Sequence, residues 1–300
     1  MAADRDPLVE PRDAFDHDRV ESGPALLRGR VLAASDDVRR AGAPPAEQGT
    51  AAGLLVEVSD ALDADLETLD DTAWSSPVLF GWSVQDLVAH LTAGHEVLLT
   101  RLNGLDDRPV TTAELDEATE QMIAAHRHCA PRETRQSWRD SVCRLRHGLE
   151  VCDTEVSWLG MDVPAATTIV DRAFETWIHA NDIRRATNRA SLDPSGQHLS
   201  VLCDLAIELL PLALLVRSRH HDALVTVNLS GPGGGTWTMP LGSGAAAGVE
   251  FVFNAVAREL CLLMGDRIDA ADFAYTVRGD DRATQIARDL VEVAPSFARP

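Results

Sequence analysis

The sequence predicts a mainly α protein, a helical bundle followed by a small α+β C-terminal domain. Three observations carry that expectation. Between about residue 51 and residue 187, apolar side chains recur at three- and four-residue steps, the spacing of one buried helix face. Beyond about residue 220, short β-branched runs alternate with glycine-rich turns. The first 48 residues show neither period. The expected organisation is an acidic flexible leader over 1–48, a bundle over 49–190 and an α+β unit over 191–300.

The leader is rich in Asp, Ala, Pro and Gly, which leaves little to bury, though Leu26-Leu27 and Val31-Leu32 allow a short attachable helix near 24–40. Leu54, Leu55, Val58, Leu62, Leu66 and Leu69 form the apolar stripe of the first bundle helix. A loop with Trp74, Pro77 and Gly81 follows, and Ser83 with Asp86 three residues on reads as a capping box opening a helix to about Leu102. Thr111 and Glu114 open a third helix, to about Cys129, and Pro131 a fourth, carrying Trp138, Val142, Leu145 and Leu149. A fifth spans about Ala165 to Thr187.

After Pro194 and Gly196 a helix runs from about His198 to Arg217. Ala223–Leu229 then reads as a strand, Gly231–Gly235 as a turn and Thr236–Met239 as the hairpin partner. A short segment at 249–253, a helix at 254–265, a strand at 273–278 and a helix at 282–292 complete a small, mainly antiparallel sheet with its helices.

Charge excludes some roles. Forty-seven acids face 27 bases for a net −20, and no basic patch is clustered beyond Arg39-Arg40 and Arg184-Arg185, so nucleic acid and anionic membrane surfaces are not expected partners. The N-terminus lacks a basic start and an apolar stretch, and Leu205–Val216 is interrupted by Glu208 and Pro211 and too short to span a bilayer, so a cytoplasmic protein is expected. Five cysteines without a C-x-x-C pair read as reduced thiols. Every base is Arg and none is Lys, a usage that suggests a GC-rich genome such as that of an actinobacterium.

Candidate chemistry lies in three residues. Glu175 and His179 stand four apart on a helical segment, so a carboxylate and an imidazole project from one face, with Asp171 one turn earlier on the same row. Alone, that pair reads equally as a solvated polar pair, but it sits among Phe174, Trp177, Ile178 and Ile183. His90 shares a face with Leu87, Gly94 and Val97, and alone reads as a buried hydrogen-bonded histidine. Together the three supply two imidazoles and a carboxylate, the ligand set of a zinc site with an open position. His95 competes with His90, but at about 140° around the helix the two do not readily bind one ion. No G-x-S-x-G, P-loop or G-x-G-x-x-G occurs.

Gly81-Trp82-Ser83-Val84-Gln85-Asp86-Leu87-Val88-Ala89-His90-Leu91 closely resembles the G-W-[ST]-V-x-D-[LV]-V-A-H-L signature of the mycothiol-dependent maleylpyruvate isomerase family, within the DinB-like metal-binding bundle superfamily. Glu175-Thr176-Trp177-Ile178-His179 with Asp182-Ile183 is similar to its second signature, E-x-x-x-H-x-x-D-[IV]. Residues 258–267 and 277–280 look like its smaller C-terminal domain, so the resemblance covers about 50–295. It implies a DinB-like fold and a divalent metal, usually zinc, on His90, Glu175 and His179.

It also implies mycothiol as cofactor and a metal-bound thiolate that adds to a conjugated, acidic electrophile, in an isomerase or an S-transferase. Asp182 is then a candidate to orient an imidazole, with a salt bridge to Arg185 equally open, and Arg258 or Arg267 are candidates to anchor an acidic substrate. The alternatives are a non-catalytic metal-binding bundle serving in binding, resistance or regulation, and a hydrolase using metal-bound water. Oligomeric state leaves no mark on the sequence.

Overall fold

A computed structural model describes residues 39–41, 49–148, 154–245 and 248–297. Most of the leader, including nearly all of the helix expected near 24–40, lies outside these residues. Arg39–Ala41 (β1) is described, as a strand.

The bundle is built from α1 (Ala51–Glu67), α3 (Val84–Leu102), α5 (Pro131–Gly148) and α6 (Ala165–Ala186). Helix α6 packs on α1 and α3, and α5 closes the ring against the same two; α4 (Thr112–His126) lies along α3. A short α2 (Asp71–Trp74) follows α1. The starts form as the sequence chemistry directs: Thr50 caps α1, and the Ser83–Asp86 box closes with both reciprocal bonds, 3.0 and 3.2 Å.

Two small hairpins flank the bundle helices, the first within the stretch expected as a loop. Strands β2 (Pro77–Leu79) and β3 (Trp82–Ser83) turn through Phe80-Gly81, and β4 (Glu155–Trp158) and β5 (Met161–Pro164) through Leu159-Gly160. All four turn residues have positive φ, 52° and 76° in the first pair, 54° and 81° in the second, the backbone of a tight two-residue hairpin.

Helix α7 (Gly196–Val216) packs on α6 and leads into the sheet of β6 (Ala223–Ser230), β7 (Gly235–Leu241), β8 (Val249–Val256) and β9 (Tyr275–Arg278). The order is β1-β7-β6-β8-β9, antiparallel except for the central β6–β8 pair. The helix expected over 254–265 begins later: residues 254–256 extend β8, and α8 is Ala257–Met264. The hydrogen-bonded register with β6 runs unbroken to Ser230↔Val256, and this pairing overrides the helical reading of Asn254-Ala255-Val256. Helix α9 (Asp281–Val293) packs on α7, β8 and β9.

Helix α7 is long and apolar enough to cross a membrane by length and composition, yet 67% of its most apolar window is buried within the fold. Its uniform apolarity follows from its place: it touches α6, α1, α8, β7 and α9.

Buried apolar side chains form two clusters. One holds Leu62, Leu66, Leu87, Leu91, Trp138 and Ile183 at one end of the bundle. The other begins at Leu54, Leu98, Leu145 and Ile169 and continues through α7 into the sheet. Near where the two clusters meet, the helices carry buried polar residues: Ser59 on α1, His90, Thr92 and His95 on α3, Ser141 on α5, and Arg172, Glu175, Thr176 and His179 on α6. Burying so many polar groups at one level is costly unless each is bonded or put to use.

Candidate metal centre

Within that polar belt, α3 and α6 bring His90, Glu175 and His179 together. His90 Nε2 lies 3.3 Å and His179 Nε2 3.8 Å from the same Glu175 Oε2. The imidazole rings meet nearly edge to face, 5.3 Å between centres. One ligand-type atom from each residue fits within a 4.8 Å set, the one such cluster of three among the described residues. All three are at most 9% exposed.

The other ring nitrogens are held. His90 Nδ1 is 3.1 Å from Thr119 Oγ1 on α4, and His179 Nδ1 is 3.0 Å from Asp182 Oδ2 one turn further along α6. In the tautomer with Nδ1 donating, the one that outer hydrogen bonds impose on metal-binding histidines, both Nε2 lone pairs would turn toward a cation shared with Glu175. Trp82, delivered by the β2–β3 turn, packs against His90 with ring centres 5.3 Å apart.

Protonation states agree with this arrangement. Burial lowers the pKa of His90 by more than the Glu175 carboxylate raises it, so the ring is neutral. Burial alone would raise the Glu175 carboxyl, but Arg172, His90 and His179 outweigh it and hold the group below the usual carboxylate range. Asp182 is likewise raised by burial and then brought down to about 2 by its bonds from His179 and Arg267. Neutral imidazole and ionised carboxylate are the forms that bind a divalent cation, and two imidazoles with one carboxylate suit zinc and leave a coordination position open.

His95 points away from the cluster: its Nδ1 lies 2.8 Å from Ser141 Oγ on α5, and Ser141 in turn donates to the Trp138 carbonyl at 2.7 Å. Asp182 contacts both His179 and Arg185, the latter at 2.8 Å, so its two readings coexist. Arg267 grips the same carboxylate through Nε at 2.9 Å and Nη2 at 2.6 Å. Arg258 pairs with both oxygens of Asp193 at 2.8 and 2.7 Å.

No motif or spacing marks Thr119 or Arg172; Arg172 is 4% exposed, lies across the Trp158 ring and reaches Asp171 at 2.7 Å and Glu175 at 3.6 Å. Gly94 makes room for it, since a Cβ there would sit 2.5 Å from Arg172 Nη1. His198, without a partner at helical spacing, bonds through Nδ1 to Glu57 of α1, but Ser195 meets that same nitrogen and carboxylate, the geometry of a helix start and not of a catalytic triad. Cys203 and Cys261 are buried thiols, their sulfurs 3.8 Å apart.

A cleft of about 540 Å³ opens against the cluster between α6, α7 and the end of α8. Glu175 and His179 form part of its wall; most of the rest is apolar.

A helical bundle that gathers two histidines and a glutamate from two facing helices has the form of a metal-site bundle. Residues 55–184 match the family model for the mycothiol maleylpyruvate isomerase N-terminal domain, and the bundle belongs to that family. The fold is shared with a crystal structure of the mycothiol-dependent maleylpyruvate isomerase, TM-score 0.54 and 20% identity over 77% of this chain and 92% of that one. A histidine-to-alanine mutant of that isomerase gives TM-score 0.53 and 20% identity over 75% and 91%. Uncharacterized proteins from two strains of Mycobacterium tuberculosis are 26% identical over 267 residues, 85% of this chain and 98% of theirs.

Proposed function

We propose that this chain is a cytoplasmic metal- and mycothiol-dependent enzyme, an isomerase or thiol S-transferase that acts on a small electrophilic molecule. One observation carries the reading: two imidazole Nε2 atoms converge on one carboxylate oxygen in a buried site bordering an apolar cleft. Membership of the bundle in the family supports the thiol, as does the all-arginine composition.

His90, Glu175 and His179 would hold the metal, zinc by the chemistry of the set. Together a bound metal and the cofactor thiol supply a thiolate nucleophile at neutral pH, able to add to a conjugated double bond. The chain's own residues do the rest. Thr119 and Asp182 keep both Nε2 atoms turned inward, which needs no rearrangement on ligand binding. Arg172 keeps Glu175 ionised from the side. Apolar walls on α6 and α7 keep water away from the reacting atoms and strengthen the electrostatics there.

The test is turnover of a conjugated electrophile by zinc-loaded protein with and without mycothiol. Turnover that requires mycothiol is expected, with simple thiols less effective. Turnover independent of thiol would favour hydrolysis, and metal uptake without processing of any electrophile would favour a binding protein.

A further inference from the structure

The cleft beside the metal-type cluster carries information about the substrate that the sequence did not. Phe174 and Ile178 of α6, Leu202, Leu205 and Leu209 of α7, and Met264 of α8 supply its walls. Its polar lining consists of Asp171, Glu175 and His179, two of them acids. No Arg lines it.

The arginines around the site are already matched to carboxylates. Arg172 is held by Asp171 and Glu175, Arg267 and Arg185 by Asp182, and Arg258 by Asp193. Freeing Arg172 or Arg267 would strip a buried acid of its partner, a penalty of the kind that breaking a buried ion pair brings, whereas the Arg258–Asp193 pair is more exposed, 34% and 39%. Apart from a bound metal whose charge Glu175 partly offsets, a dianion entering this cleft would meet apolar walls that cannot solvate it and the field of a chain with net charge −20. A mostly apolar lining with a few polar groups at one end is the usual make-up of a small-molecule site.

We infer that the electrophile accepted by this cleft is an uncharged, largely apolar molecule, its conjugated double bond directed at Glu175 and His179 and its apolar body against α7. This rests on the thiol-addition reading above and replaces the acidic substrate that the family resemblance implies. In the addition, the thiol sulfur forms a bond to one alkene carbon as the π bond breaks, and a proton ends on the neighbouring carbon; no oxidant or reductant is consumed.

Matched pairs that differ in charge test it. Zinc-loaded protein with mycothiol is given dimethyl maleate or maleate, each rate divided by its uncatalysed rate. A separate titration measures binding of the unreactive diethyl succinate and succinate to the same protein, so that the pocket is tested even if no thiol reaction occurs. The expected result is at least tenfold preference for the neutral ester in both assays, and affinity rising about fourfold per added buried methylene of the ester chain.

Ala206→Trp, which fills the cleft, should abolish diester binding, and the milder Ala206→Leu should weaken it while metal content stays unchanged. Equal or tighter binding of succinate would overturn the inference. Neutral-ester binding without thiol-dependent turnover would sustain it and reject the thiol reading instead.

Discussion

Arg267, just beyond α8, holds the carboxylate of Asp182 in the middle of the last turns of α6, through Nε at 2.9 Å and Nη2 at 2.6 Å. Asp182 in turn holds His179 Nδ1 at 3.0 Å. The C-terminal part of the chain thus reaches the metal-type cluster through one carboxylate, which is 1% exposed. Arg267→Ala should lower zinc affinity about 10–100-fold, read by competition with a chromophoric chelator, because Asp182 loses its partner and His179 its orientation. Arg267→Lys should recover only part of this, since an ammonium cannot reproduce the two-point grip. Unchanged affinity in both variants would show that Arg267 serves packing alone.

His90→Ala, Glu175→Ala and His179→Ala should each reduce bound metal well below one equivalent, measured by elemental analysis after dialysis. His95→Ala should retain it, because that ring is turned to Ser141. Metal kept by all three ligand variants would place the site elsewhere.

Burial, reinforced by the nearby charge of Arg172, lowers the His95 pKa from 6.5 to about 3. The unfolded chain therefore binds more protons than the folded one between those values, and stability is lost as pH falls through that window. His95→Gln removes the group, so chemical denaturation of metal-free protein should show a shallower loss from pH 6.5 to pH 4 than the parent. Parallel slopes would mean His95 is protonated in the folded state.

The three β1–β7 residue pairs predict a step in stability between two truncations. Protein lacking residues 1–45 should melt a few degrees below protein lacking 1–38, since backbone bonds of about 1 kcal/mol each are lost and an edge of β7 is exposed. Identical melting temperatures would show that the strand adds nothing.

Helix-level features were legible because they are local. The Ser83–Asp86 box, the apolar stripe of α1 and the i,i+4 relation of Glu175 and His179 need only neighbouring residues, and the structure shows all three. Choosing between His90 and His95 required the motif, since both are buried on α3. Thr119 stands 29 residues from His90, and Arg267 stands 85 from Asp182, so no spacing rule connects them. The hairpins were hidden by their length and by Phe80 and Leu159, bulky residues at positive φ where Asn or Gly is the usual signal.

His90, Glu175 and His179 are proposed to hold a metal whose open position takes a cofactor thiol. Cobalt-substituted protein titrated with mycothiol tests it most directly. A sulfur-to-cobalt charge-transfer band should appear, saturate at one thiol per metal and persist at pH values where the free thiol is protonated, because coordination lowers the thiol's pKa. Glu175→Ala should abolish the band. A fully cobalt-loaded protein that develops no such band at saturating mycothiol would contradict the account.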